Sequence, residues 1–219
     1  MAHKHVQQIS LNYDILADAY SRHLSGELEG KPLDRDWLRQ FAAAVGSRGP
    51  ICDLGCGPGQ VAGYLYEQGA QVLGIDLSPH MIERARHLHP GITFRVGNML
   101  ALEVADASWG GIAAFYSIVH LQPTELATAF EECWRVLRPG GWLLLAFHVG
   151  DEVRHVEQLW GQQVSLDFRF YPRTQVEAHL RVAGFQVVES LERDSYAGVE
   201  VATRRAYIRA HKPEMTSPD

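Results

Sequence analysis

Between positions 53 and 60 the chain reads Asp53-Leu54-Gly55-Cys56-Gly57-Pro58-Gly59-Gln60, and a second carboxylate, Asp76, closes the next apolar run. Three alternating glycines permit positive φ and let a ligand approach the backbone closely. A carboxylate at the end of the following strand is placed to accept hydrogen bonds from two ribose hydroxyls. Together these residues have the chemistry of a nucleoside site. A dinucleotide fingerprint, Gly-x-Gly-x-x-Gly, would require glycine where Gln60 stands, so that reading fails. Two histidines follow later apolar runs, His120 in Tyr116-Ser117-Ile118-Val119-His120 and His148 in Phe147-His148-Val149-Gly150. Histidine titrates near neutrality, so either can take a proton from a reacting group, or simply hydrogen-bond the local backbone.

The elements around these residues follow from periodicity. Apolar side chains at Leu11, Ile15, Leu16, Ala19 and Leu24 predict a helix over residues 10–25, and a second helix is expected over 34–45. Beyond the Gly46, Gly49 and Pro50 stop signals, short apolar runs alternate with helical segments. Strands are expected at 51–54, 71–75, 92–96, 112–118, 142–147, 185–192 and 201–210. Helices are expected after the glycine loop, from about residue 78, and over 124–137 and 174–183. Such alternation implies crossovers and a mainly parallel sheet. Its ligand edge is the C-terminal one, where the glycine loop, Asp76, His120 and His148 all fall.

The pattern Asp-x-Gly-x-Gly-x-Gly resembles motif I of class I S-adenosylmethionine (SAM) dependent methyltransferases. Leu137-Arg138-Pro139-Gly140-Gly141 looks like the family's Leu-x-Pro-Gly-Gly turn before the fifth strand. Asn12-Tyr13-Asp14 with Tyr20 is similar to the N-terminal Tyr-Asp…Tyr signature of bacterial small-molecule members, of the ubiquinone/menaquinone-biosynthesis type. The resemblance covers residues 11–211 and implies a Rossmann-like α/β fold. That fold is an open seven-stranded sheet, mostly parallel with an antiparallel last strand, and has helices on both faces. It implies SAM as cofactor and S-adenosylhomocysteine as its product, held by Asp53, Gly55, Cys56, Gly57, Gly59, Asp76, Leu77, Asn98 and Met99. Tyr116 or Ser117 would complete the site, and Tyr13 and Tyr20 would close over the methionine part. Met81 would pack on the adenine or serve as core. Asn98 stands where the family usually has an acidic residue, and its side-chain carbonyl can still accept a hydrogen bond.

Methyl transfer is a direct displacement in which the cofactor brings electrophile and leaving group, so the protein's task is positioning, with a base only where the acceptor must lose a proton. His120 and His148 are the candidate bases. Arg22, Arg169, Tyr171 and Arg173, with Tyr20, are candidates to line an acceptor pocket, the arginines gripping a carboxylate or lying on a solvated face.

Composition narrows the partners. A net charge of −6 offers no basic field for nucleic acid, and no apolar run reaches the length of a membrane span. Three cysteines are too few for a disulfide framework, which fits a cytoplasmic protein. Among 11 histidines, His3/His5 and His87/His89 are two apart and face different ways on a helix, so no metal is expected. One domain spans 1–219, with an N-terminal helical cap at 1–46, an insertion over the substrate site at 150–172 and a loose tail at 212–219. A small-molecule acceptor is expected, with the protein a monomer or homodimer. The competing readings are a protein or RNA methyltransferase, a SAM-binding sensor or partner subunit without catalysis, and a nicotinamide dehydrogenase.

Overall fold

The computed structural model describes residues 2–24 and 26–214, the side chains of residues 2 and 3 excepted; positions 215–219 of the expected tail lie outside that range. Helix α1 (Ala2–Leu24) begins well before the apolar pattern that announced it. Helix α2 (Pro32–Val45) has Pro32 at its first turn, where the missing N–H costs nothing, and buries Asp34, Trp37, Leu38, Phe41 and Val45 along one stripe. The alternating region then runs β1 (Ile51–Leu54), α3 (Gln60–Glu67), β2 (Val72–Asp76), α4 (Pro79–Leu88), β3 (Thr93–Val96), β4 (Trp109–Phe115), α5 (Pro123–Val136) and β5 (Leu137–His148). Strands β6 (Val153–Leu159) and β7 (Gln162–Arg169), helix α6 (Arg173–Val182), β8 (Gln186–Arg193) and β9 (Arg205–His211) complete the chain.

The main sheet has seven strands in the order β3-β2-β1-β4-β5-β9-β8. It is the Rossmann-like fold expected. β1 to β5 are mutually parallel, and the last strand, β9, runs antiparallel to both neighbours, inserted between β5 and β8. Chain direction across the sheet reverses between β1 and β4, which opens a crevice at their C-terminal ends.

Side chains of the central strands alternate between two cores. Ile112 and Ala114, with Leu143, Leu145 and Phe147, pack under α5 and α6. Ala113, Phe115, Leu144 and Ala146 pack under α2, α3 and α4. Burial on both faces is why these strands read as continuous apolar runs.

Several boundaries differ from expectation for local reasons. β4 stops at Phe115 because Tyr116 takes φ 54°, and Ile118–His120 form one 3-10 turn in place of the expected strand end. β5 starts at Leu137, which pairs with Trp109, and residues 138–141 form a bulge before the register resumes with Trp142 opposite Gly111. β9 starts only at Arg205, and the residues before it form a loop. Residues 153–169 form the hairpin β6–β7, turned at Trp160 and Gly161, both at positive φ as a tight hairpin requires. Its Val164 and Leu166 pack on Leu16 and Tyr13 of α1. Among the described residues no helix is long and apolar enough to cross a membrane.

Leu144 is fully buried at the centre of β5. Leu144→Ala is expected to cost about 2–5 kcal/mol, read as a lower denaturation midpoint at unchanged slope.

Candidate active site

The loop after β1 is shaped by its glycines. Gly55 has φ 75°, and a Cβ built there would sit 2.3 Å from the Cβ of Ser117. Only glycine lets the β1 and β4 ends approach this closely. The Gly55 and Cys56 N–H groups both donate to Ile75 O, at 2.7 and 3.0 Å, which ties the loop to β2. Gly57 N–H donates to Asp76 Oδ2 at 2.8 Å and Ser78 N–H to Asp76 Oδ1 at 2.8 Å. Gly59, at φ 93°, caps α3 and packs against His89 and Phe94.

This loop floors a cleft with about 100 Å³ of free interior and about 830 Å³ of empty space including its mouth. Gly55, Gly57, Asp76, Leu77, Met81, Asn98, Met99, Tyr116 and Ser117 line it, together with Tyr13, Tyr20 and His120. Cys56, Gly59 and Asp53 do not: Cys56 packs into the core under α3, and Asp53 lies beneath the loop with Oδ2 accepting Ala62 N–H at 2.9 Å. Met81 is fully buried while also lining the cleft. Asn98 Oδ1 accepts Leu100 N–H at 3.0 Å, so the carbonyl expected to meet a ligand already stabilises its own turn.

The two carboxylates are shifted by their surroundings. Burial pushes Asp53 up to about 7; the Ala62 N–H opposes this and the nearby Asp76 charge adds to it. Burial also raises Asp76, against the N–H groups of Ser78, Gly57 and Leu77. Two hydroxyl donors from a ligand would favour its ionised form. Ser117 Oγ is buried at the cleft without a hydrogen-bond partner. An unfilled acceptor–donor group beside a glycine cradle and a carboxylate fits a nucleoside carrying further polar groups.

Helix α1 closes one side. His5, Ile9 and Tyr13 are spaced four apart and all line the cleft. Tyr13 is the member of this stripe that the sequence pointed to; His5 and Ile9 escape notice because the segment before residue 9 is mostly polar, and the four-residue period is the signal that links them. Tyr13 Oη lies 2.7 Å from His120 Nε2, and His120 Nδ1 lies 2.8 Å from the Asp167 carbonyl. A carbonyl only accepts, so Nδ1 carries the proton and Nε2 accepts from the Tyr13 hydroxyl. Burial is the main cause that lowers His120 to about 4, which keeps it neutral. Asn12 and Ser165 exchange hydrogen bonds at 2.7 and 3.2 Å and fix α1 to β7.

His148 sits at the end of β5, outside the lining of this cleft. Its ring stacks on Phe170 and lies 5.1 Å from Tyr116, and Nδ1 meets Thr203 Oγ1 at 2.9 Å. Burial, with Arg205 and Lys31 adding to it, lowers it to about 4. The four expected acceptor contacts lie elsewhere. Arg22 lines a surface groove between α1 and α4. Arg169 lies 3.9 Å from Asp167. Tyr171 is core, its hydroxyl donating to Leu121 O. Arg173 is committed to Glu177, Glu192 and Ser190.

Gly55→Ala is expected to lower the melting temperature and remove nucleoside binding, because both φ and the Ser117 contact resist a side chain; calorimetry on the folded fraction checks this. His120 supplies a second expectation. Its folded pKa of about 4 lies below the ordinary 6.5, so its contribution to stability is complete above pH 6.5 and lost as pH falls toward 4. In that window His120→Gln is expected to flatten the dependence of stability on pH by up to one proton, about 1.4 kcal/mol per pH unit, as read from urea titrations.

Residues 51–141 match the family described as a methyltransferase domain. The chain is 27% identical over 201 residues to a malonyl-(acyl-carrier protein) O-methyltransferase of Serratia marcescens, covering 89% of this chain and 77% of that protein. Matches to the same enzyme from three other bacteria span only 60–61% of their length. A demethylmenaquinone methyltransferase of Beutenbergia cavernae is 28% identical over 136 residues, 61% of this chain and 55% of that one. In fold, a SAM-dependent methyltransferase from Methanosarcina mazei superposes with a TM-score of 0.70 at 17% identity, over 79% of this chain and 97% of that one. With the strand order, the glycine cradle and the carboxylate of β2 already in place, the chain is similar to SAM-dependent methyltransferases in fold and, over the stretches given, to methyltransferases in sequence.

Proposed function

We propose that the protein transfers a methyl group from SAM to a small-molecule acceptor. The observation that carries this reading is the gathering of Gly55, Gly57, Asp76, Asn98, Tyr116 and Ser117 around one cleft at the reversal of strand order. When bound, SAM supplies a sulfonium-activated methyl and its own leaving group. The chain's part is to hold and exclude. Gly55 and Gly57 let the ligand lie on the loop backbone, and Asp76 accepts from the ribose. His5, Ile9 and Tyr13 keep water from the cleft on the α1 side. The relatives' names describe a small acyl group carried on a protein and a demethylmenaquinone, and the second supports a small-molecule acceptor directly.

Of the two candidate bases, only His120 reaches the cleft, and both its nitrogens are engaged. Its Nε2 lone pair becomes available to an acceptor only when Tyr13 turns away. We therefore assign the larger share of the rate to positioning, which can supply ~7–11 kcal/mol. The test is calorimetry with SAM, S-adenosylhomocysteine and NAD. Micromolar binding of the two sulfur nucleosides with none of NAD is the expected result; no binding of either sulfur nucleoside would sink the reading.

A further inference from the structure

Arg169 closes β7, opposite Val153 of β6. Its side chain is only 20% exposed, and its Nε is buried without a partner. Among the described residues no carbonyl or carboxylate accepts a hydrogen bond from this guanidinium. The nearest carboxylate oxygen, Asp167 Oδ2, lies 3.9 Å away. Asp167 is itself engaged, its Oδ1 meeting His155 Nδ1 at 2.7 Å. Other arginines of this end of the molecule are bound into the fold. Arg154 is paired with Glu152, Arg173 with Glu177 and Glu192, and Arg205 with Glu200.

An arginine that serves the fold has its N–H groups answered, because a desolvated donor without an acceptor is destabilising. Arg169 is withdrawn from water and yet uncommitted. A guanidinium is a permanent cation whose planar fork of donors matches a carboxylate. The partly exposed Nη end of Arg169 is therefore the part open to an incoming anion.

The residues on either side place it beside the cleft. Two positions before it, Asp167 O accepts from His120 Nδ1; two positions after it, Tyr171 donates to Leu121 O. His120 and Leu121 both line the cleft. Asp167 and Arg169 share one strand, so their Cα atoms are about 7 Å apart. The Arg169 charge also favours the ionised form of Tyr171, against the larger effect of burial, so its field reaches this wall. Arg169 stands behind the wall and not in it, at a separation that a small molecule can span. We infer that Arg169 is an anion-receiving, specificity-determining residue that takes a carboxylate at the end of the acceptor remote from the methylated atom. The inference rests on the cleft being the methyl-transfer site, as proposed above.

The test reads the guanidinium directly. The full chain, loaded with S-adenosylhomocysteine, is treated with phenylglyoxal, and the rate of modification at each arginine is followed by peptide mass mapping. Propionate, hexanoate and hexanamide are the probes, with sodium chloride matching the ionic strength. Arg173 is the internal reference, being more exposed, at 29%, but paired. Hexanoate is expected to slow modification of Arg169 and not of Arg173. Propionate should need about tenfold more to do the same, because the longer apolar tail enters the cleft, and hexanamide should do nothing. Equal protection by the two acids would place the anion apart from the cleft and overturn the acceptor assignment. An unreactive Arg169, protection no greater than that given by chloride, or equal protection by hexanamide would overturn the anion site itself. Arg169→Met should melt at or above the wild-type temperature, since no hydrogen bond is lost; a lower temperature would make the arginine part of the fold and sink the inference. Should S-adenosylhomocysteine fail to bind, the cofactor reading fails, and the same rates on the ligand-free protein decide the anion site alone.

Discussion

The site depends on one close approach, that of the β1 and β4 ends. Where the strand order reverses, the two chains diverge into loops, and Gly55 and Ser117 come so near that no side chain fits between them. That contact lets the glycine loop fold over toward β2, where Ile75 O takes two of its N–H groups and Asp76 takes a third. The loop is thus held by backbone donors and one carboxylate, and not by apolar packing of its own. The geometry of Asp76, the cap of α3 and the floor of the cleft all follow from it.

The other wall is built from distant pieces. α1 is clasped through Tyr13 to His120, and His120 to the Asp167 carbonyl of β7, so one imidazole links a helix, a turn and a hairpin. Asn12, the residue before Tyr13, and Ser165 repeat the clasp beside it. His120 serves this role best when neutral, and burial keeps it so. A histidine placed at a ligand-facing strand edge can therefore owe its position to the closing of the site as much as to proton transfer.

What was legible in the sequence was local. The glycine loop announced itself because each glycine answers to a backbone requirement within eight residues, and the strands because burial on both faces leaves uninterrupted apolar runs. The acceptor arginines were not legible. Whether Arg173 faces a ligand or Glu177 and Glu192 depends on what β8 brings alongside, and spacing along the chain carries no record of that. Asp34 was a missed signal of another kind. It lies at i−3 and i−4 from Trp37 and Leu38 on the buried stripe of α2, so its burial could be inferred from the helical period, though its partner Arg193, 159 positions later, could not.

The placement of β9 has a consequence for how the protein is made. Tyr207 reaches Asp34 across 173 positions of sequence, and β9, paired with β8 on one side, must also pair with β5 before that bond can form. The wall behind Tyr116, where Tyr207 stands, therefore cannot exist until β9 has been synthesised and paired with β5. Long-range closure of this kind is slow. The residues of the glycine loop thus leave the ribosome long before those of the wall behind Tyr116, and the two are separated in time as well as in sequence.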